Sequence, residues 1–250
     1  MLKSLFLSRL VANPRGRAFL LAFMANAEES DEGAFDELVA RADAPEVQKM
    51  VRLHRQDEAR HGRLLRACVA RVGAPDEPLP DELRYIDRLD RMTGGDFRRG
   101  FLADGSGVGI MKVYALLQVV EERGVAQFAI IARALAARDP ESARIVREIV
   151  GDEERHVKYA RAICRRYAPD PATLARTLAD FRALEARAFA EHCRDFLGWC
   201  VARDLVGRSA LERRAWRTIA LASGGAGAYR RGGRASWPKP QDIRTASVPR

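Results

Sequence analysis

Two short stretches of this chain place acids and a histidine in the same order. Gln56-Asp57-Glu58-Ala59-Arg60-His61 and Gly151-Asp152-Glu153-Glu154-Arg155-His156 both contain Asp-Glu-x-x-His. On an α-helix, residues i and i+3 share a face, so Glu58 points with His61 and Glu153 with His156. A carboxylate and an imidazole one turn apart can ligate a single metal ion from one helix. Asp57 and Asp152, each four residues before a histidine, are placed to accept an N–H from a ligand imidazole, the one on the opposite helix.

Each motif belongs to a larger repeat. An offset of 95 residues superposes Pro45 on Pro140, Val51 on Val146, Arg52 on Arg147, Asp57 on Asp152 and His61 on His156. Upstream the offset becomes 93, so that Glu28-Glu29 meets Glu121-Glu122 and Phe35 meets Phe128. A helix–turn–helix unit therefore occurs twice, with an acidic pair on its first helix and Asp-Glu-x-x-His on its second. Helical phase chooses within each pair. Glu28 has Leu21, Met24 and Phe35 at −7, −4 and +7, whereas Glu29 has Ala22, Ala25 and Asp36. Glu121 likewise has Tyr114, Leu117 and Phe128, whereas Glu122 has Ala115, Gln118 and Ala129. Glu28 and Glu121 are the inward members.

Burying four carboxylates in a helical core is very costly without cations to neutralise them. Glu28, Glu58, His61, Glu121, Glu153 and His156 make a donor set for two metal ions, with Asp57 and Asp152 supporting the imidazoles. Oxygen and nitrogen donors together favour iron or manganese over a thiolate-bound structural zinc. The expected cofactor is two Fe ions, with a Mn or mixed Fe/Mn pair as the alternative.

The order Glu28, Glu58/His61, Glu121, Glu153/His156 resembles that of the ferritin-like di-iron carboxylate superfamily, which includes bacterioferritin- and rubrerythrin-like proteins. The resemblance covers about residues 15–167. It implies an all-α, ferritin-like four-helix bundle of antiparallel pairs, with a long crossover here at about Gly73 to Ser106. It further implies a non-haem di-iron or Fe/Mn oxidoreductase that activates O2 or peroxide and draws on an external electron donor. Phe35 and Phe128 stand where such proteins often carry tyrosine, and there is no rubredoxin-like cysteine module.

The elements that must position these residues are set out by helix breakers. Asn13-Pro14 closes a short N-terminal helix over 1–14, and one helix is expected from Arg15 to about Arg41. Asp43 caps a second, with Pro45 in its first turn, running to about Val72. The crossover holds one shorter helix around "DELRYIDRLDRM" and then a connection from Thr93 to Gly109. Further helices run from about Ser106 to Arg138 and from Pro140 to about Tyr167. The "GSGVG" of the connection is a helix entry capped by Ser106, because no strand precedes it and no Lys-Ser/Thr follows. A long and a shorter added helix occupy 168–223 and pack on the bundle.

Residues 224–250 form a basic, disordered tail. The tail holds six basic residues against Asp242 alone, which supplies +5 of the net charge of +9. A nucleic-acid partner is therefore weakly indicated for the folded part. No apolar run approaches a membrane span, so no transmembrane segment is expected, and the N-terminus reads as an amphipathic helix of a cytoplasmic protein. Cys68, Cys164, Cys193 and Cys200 include no Cys-x-x-Cys pair and read as reduced, mostly buried thiols.

His54 lies on the same side of its helix as Glu58 and His61, where it could be an extra ligand or a proton donor, but its repeat counterpart is Ile149, so it reads first as a hydrogen-bonded core histidine. His192 reads as structural or exposed, and Tyr114 and Tyr159 as packing residues. The favoured function is an oxygenase or hydroxylase acting on a small organic substrate that the residues do not identify. The added helices and crossover would form its pocket, though an apolar stripe on those helices could serve a homodimer instead. The alternatives are a ferroxidase or other iron-handling protein without organic substrate, an RNA-acting (tRNA) hydroxylase, and a metal-free scaffold with salt-bridged helix faces.

Overall fold

A computed structural model describes residues 2–29, 32–74, 79–95, 97–103, 105–207 and 209–223. Its regular elements are all helical: α1 (Leu2–Ala12), α2 (Pro14–Glu28), α3 (Glu32–Arg41), α4 (Pro45–Val72), α5 (Tyr85–Met92), α6 (Phe97–Leu102), α7 (Gly107–Leu135), α8 (Pro140–Tyr167), α9 (Pro171–Ala202) and α10 (Ala210–Ala222), with a 3-10 turn at Asp81–Leu83. No described helix is long and apolar enough to cross a membrane. The basic tail, expected to be disordered, lies outside the described residues.

Proline and a capping side chain start most of the long helices. Asn13 accepts from Arg15 N at 3.0 Å, Asp139 from Ser142 N at 3.0 Å and Asp170 from Thr173 N at 2.8 Å, each beside a proline in the first turn. Ser106 caps α7 through Gly109 N. The expected cap of α4 is corrected. Ala44 occupies that position without a side-chain bond, and Asp43 instead accepts the Tyr167 hydroxyl from the end of α8.

Two further differences matter. The single helix expected over 15–41 is broken into α2 and α3 immediately after Glu28. α2 closes with Glu29 as its C-cap, whose N–H bonds back to Ala25 O and Ala27 O. Within the crossover, α6 stands where a plain connection was expected, too short for its apolar residues to show a period.

α2 runs antiparallel to α4, since Glu28 meets His61 at one end while Arg17 and Arg71 both reach Asp139 at the other. α3 continues along the N-terminal half of α4, where Asp36 pairs with Arg55. α7 and α8 form the most extensive pair, and α4 packs against α8. One apolar cluster includes Leu21, Met24, Leu65, Ile131, Val146, Ile149 and Trp199. The other includes Phe35, Val51, Tyr114, Leu117, Ala160 and Ile163. Glu28, Glu58, Glu121 and Glu153 fall between the two clusters in sequence on all four long paths.

α9 lies on α7 and on the crossover, fastened by one buried acid. Glu185 accepts from Tyr85 Oη at 2.7 Å and from Arg123 through two bonds of 2.8 Å. Arg88 of α5 adds bonds to Glu191 and Asp195. His192, next along this face, is buried against Phe23 at 5.2 Å and Tyr85 at 5.4 Å, and its Nδ1 has no hydrogen-bond partner. Burial and then the Arg88 guanidinium hold its pKa down to about 4.

The folded value lies below the unfolded one, so the neutral ring stabilises the fold fully above about pH 6.5. That contribution, about 3 kcal/mol, is lost as pH falls from about 6.5 towards 4. His192→Phe removes the titration. Urea unfolding at pH 7 and pH 4.5 is expected to show a stability drop about 2 kcal/mol smaller in the variant than in wild type. An equal drop in both proteins would contradict the assignment.

Candidate metal centre

Four helices meet in one polar layer. α2 brings Glu28 at its last residue, α4 brings Asp57, Glu58 and His61, α7 brings Glu121, and α8 brings Asp152, Glu153 and His156. Their donor atoms form two four-residue groups, each with atoms mutually within 4.8 Å. One group is Glu28, Glu58, His61 and Glu153; the other is His54, Glu58, Glu121 and His156. Glu58 belongs to both.

Each imidazole has its two nitrogens in different surroundings. His61 Nδ1 lies 3.0 Å from Glu28 Oε2 and 3.1 Å from Glu153 Oε1, while its Nε2 lies 3.1 Å from Asp152 Oδ2. His156 Nδ1 lies 2.9 Å from Glu153 Oε2 and 3.4 Å from Glu58 Oε1, while its Nε2 lies 3.3 Å from Asp57 Oδ2. Each aspartate thus meets the histidine of the opposite helix. Arg60 bonds to Asp57 and Asp152, and Arg155 reaches the same two acids at 2.6 and 2.7 Å. The result is a closed square of two acids and two guanidinium groups outside the rings, which fixes ring orientation.

The electrostatics follow from burial. Glu28 is raised by burial, partly offset by its bond to His61. Glu58 is raised well above the ordinary carboxylate range by burial and then by repulsion from Glu28 and Glu153. Burial would raise Glu153 too, but bonds from His156 and His61 outweigh it and hold this carboxylate ionised. His61, pulled down by burial, is pushed up to about 10 by Glu153 and Glu28. His156 is lowered, by burial first. Outside the layer burial pushes Asp57 up, yet bonds from Arg155 and Arg60 bring it down to about 2. Protons shared among crowded carboxylates and imidazoles do here what a cation would do better.

The alternative members of the acidic pairs turn away. Glu29 accepts two bonds from Arg66, at 3.0 and 2.7 Å, and Glu122 accepts from Gln118 and Arg161 at 2.9 Å each. Glu154 is exposed. Tyr114 is fully buried with no hydrogen-bond partner for its hydroxyl, and Tyr159 is half-buried. The four cysteines are free, three of them buried and Cys193 exposed.

His54, read from the sequence first as a core histidine, is buried and joins the second four-residue group, its Nε2 facing Glu58 and Glu121. Its position one turn before Glu58 was the signal for an extra ligand, and the apolar Ile149 at the equivalent place in the second repeat weighed against it.

The donor set could hold metal. His54 Nδ1 is buried without a hydrogen-bond partner, its Nε2 stands just over 3 Å from Glu58 and Glu121, and the donor atoms of each group lie close enough together to share an ion. Beside the layer is a cavity of about 290 Å³, lined by Glu28, Glu29, Phe35, Arg55, Glu58, Ala59 and Arg63. Its described lining comes from α2, from Glu29 just after it, and from α3 and α4, while crossover residues including Leu83, Tyr85 and Ile86 line a second cavity of about 210 Å³ against α2.

Compared with protein-family models, curated proteins and solved structures, the chain matches none. Fold and site therefore define the class: an all-helical protein with a buried cluster of acids and histidines able to hold metal.

The square of acids and guanidinium groups makes a testable demand on the metal-free protein. Asp152→Ala leaves the fully buried His61 Nε2 without its acceptor and should cost about 1–3 kcal/mol in urea unfolding. Asp152→Asn keeps an acceptor oxygen and should cost less; equal stability of Asp152→Ala and wild type would refute the role.

Proposed function

We propose that this chain is a ferritin-like di-metal carboxylate oxidoreductase that uses two Fe ions, or Fe and Mn, to activate O2 or peroxide. One observation carries the reading: Glu58 is common to two separate four-residue donor groups in a buried layer. A bound pair of redox-active metals would supply the electrons that O2 or peroxide takes up.

The residues divide the remaining work. Glu58 and Glu153 would hold both metals, since the two oxygens of Glu153 face His61 and His156 respectively. Glu28 with His61, and Glu121 with His156, would complete the two positions. Asp57 and Asp152 accept the outer Nε2–H of each ring and so keep Nδ1 free as the neutral donor. The apolar clusters on either side exclude water from the layer.

The cavity supports an oxygenase or hydroxylase acting on a small substrate, because its volume lies at the low end for organic ligands and it reaches two ligand glutamates. Phe35 offers an apolar wall, while Arg55 and Arg63 suit an anionic group at the rim. A ferroxidase is the second reading, favoured by the three glutamates in the same lining, which could pass cations inward.

Anaerobic Fe(II) or Mn(II) loading, followed by metal analysis, should give about two metal ions per chain in wild type and close to none in Glu58→Ala/Glu153→Ala. Loading should also raise Tm in wild type alone. No bound metal and no Tm shift in wild type would end the reading.

A further inference from the structure

The second donor group contains a histidine that the repeat does not duplicate. His54 is 1% exposed and stands one turn before Glu58 on α4. Its Nε2 lies 3.1 Å from Glu58 Oε1 and 3.2 Å from Glu121 Oε1. Its Nδ1 has no hydrogen-bond partner. His61 and His156 both have an aspartate at Nε2, whereas His54 has none. Its ring stacks on His156 with centroids 3.9 Å apart and planes 25° apart, and Phe35 covers it at 4.8 Å.

Leaving a polar nitrogen unsatisfied in a core costs on the order of 1–3 kcal/mol. Isoleucine at the equivalent position, Ile149, shows that the fold packs this site with an apolar side chain in the other half. An imidazole nitrogen held between two carboxylates of a donor group is placed to bind a metal.

We propose that His54 is a seventh metal-binding side chain, which makes the two metal positions chemically unlike. One position is nitrogen-rich, with His54, His156 and Glu121 beside the shared Glu58 and Glu153. The other is oxygen-rich, with Glu28, Glu153, Glu58 and the single imidazole of His61. Imidazole raises preference for Fe(II) and Co(II), whereas carboxylates suit Mn(II), so the nitrogen-rich position fills first with the former ions. The inference rests on the metal-centre reading above, and its failure is separable from the failure of that reading.

The test is anaerobic Co(II) titration of the full-length protein and of His54→Gln and His54→Phe, followed by d–d absorption and by metal analysis after desalting. Wild type should bind in two resolved steps. Both variants should lose at least about tenfold in affinity at the tighter step only, with a changed band pattern for the first equivalent. His54→Phe retains a ring at the Phe35 and His156 contacts, and far-UV circular dichroism checks that either variant is folded. Unchanged affinities and spectra in a folded variant would overturn the role of His54 and leave the metal centre standing. Absence of Co(II), Fe(II) and Mn(II) binding in wild type would overturn both.

Discussion

Desolvation of four glutamates at one level of a helical core is the constraint on which the structure turns. Glu28 and Glu153 are buried, and Glu58 and Glu121 are nearly so. An ionised carboxylate moved into such surroundings loses several kcal/mol of hydration unless opposite charge or hydrogen bonds replace it. The histidines, held by Asp57 and Asp152, provide part of that replacement. Arg60 and Arg155 neutralise the aspartates in turn, so charge compensation spreads outward from the layer to its half-exposed rim. Apolar clusters above and below keep the polar layer confined to that level.

The internal repeat distributes this cost evenly, and three departures from it give the layer a direction. Glu121 sits within the unbroken α7, whereas Glu28 ends α2 where the helix path is interrupted. The cavity lies beside that interruption. Phe35 and Phe128 correspond in the repeat, yet Phe35 joins the cavity wall and the His54 ring while Phe128 packs into the opposite apolar cluster. His54 and Ile149 are the third departure. All three place the added chemistry on the α2–α4 side.

Much of this was legible in the sequence for a physical reason. Helix periodicity is a strong signal over long segments, and Pro140, Pro171 and their capping aspartates mark starts directly. The choice of Glu28 over Glu29 and Glu121 over Glu122 needed only helical phase, and the rejected members are found paired with arginines. The break at Glu28 was hidden because apolar residues resume in phase at Phe35 and Leu38, so periodicity alone bridges it. α6 is too short to show a period at all. His54 ranked below the six repeated residues because repeat symmetry, which picked those six out, argues against any residue that breaks it.

The added helix α9 acts from the other side. It covers α7 and the crossover, and Glu185 binds Arg123, two residues beyond Glu121 on the same helix. Arg123 therefore ties the segment carrying Glu121 to α9 and α5 together, while Glu28 stands at the C-terminal end of α2 beside the cavity. One half of the layer is braced and the other borders the cavity. The two properties are assigned to different helices.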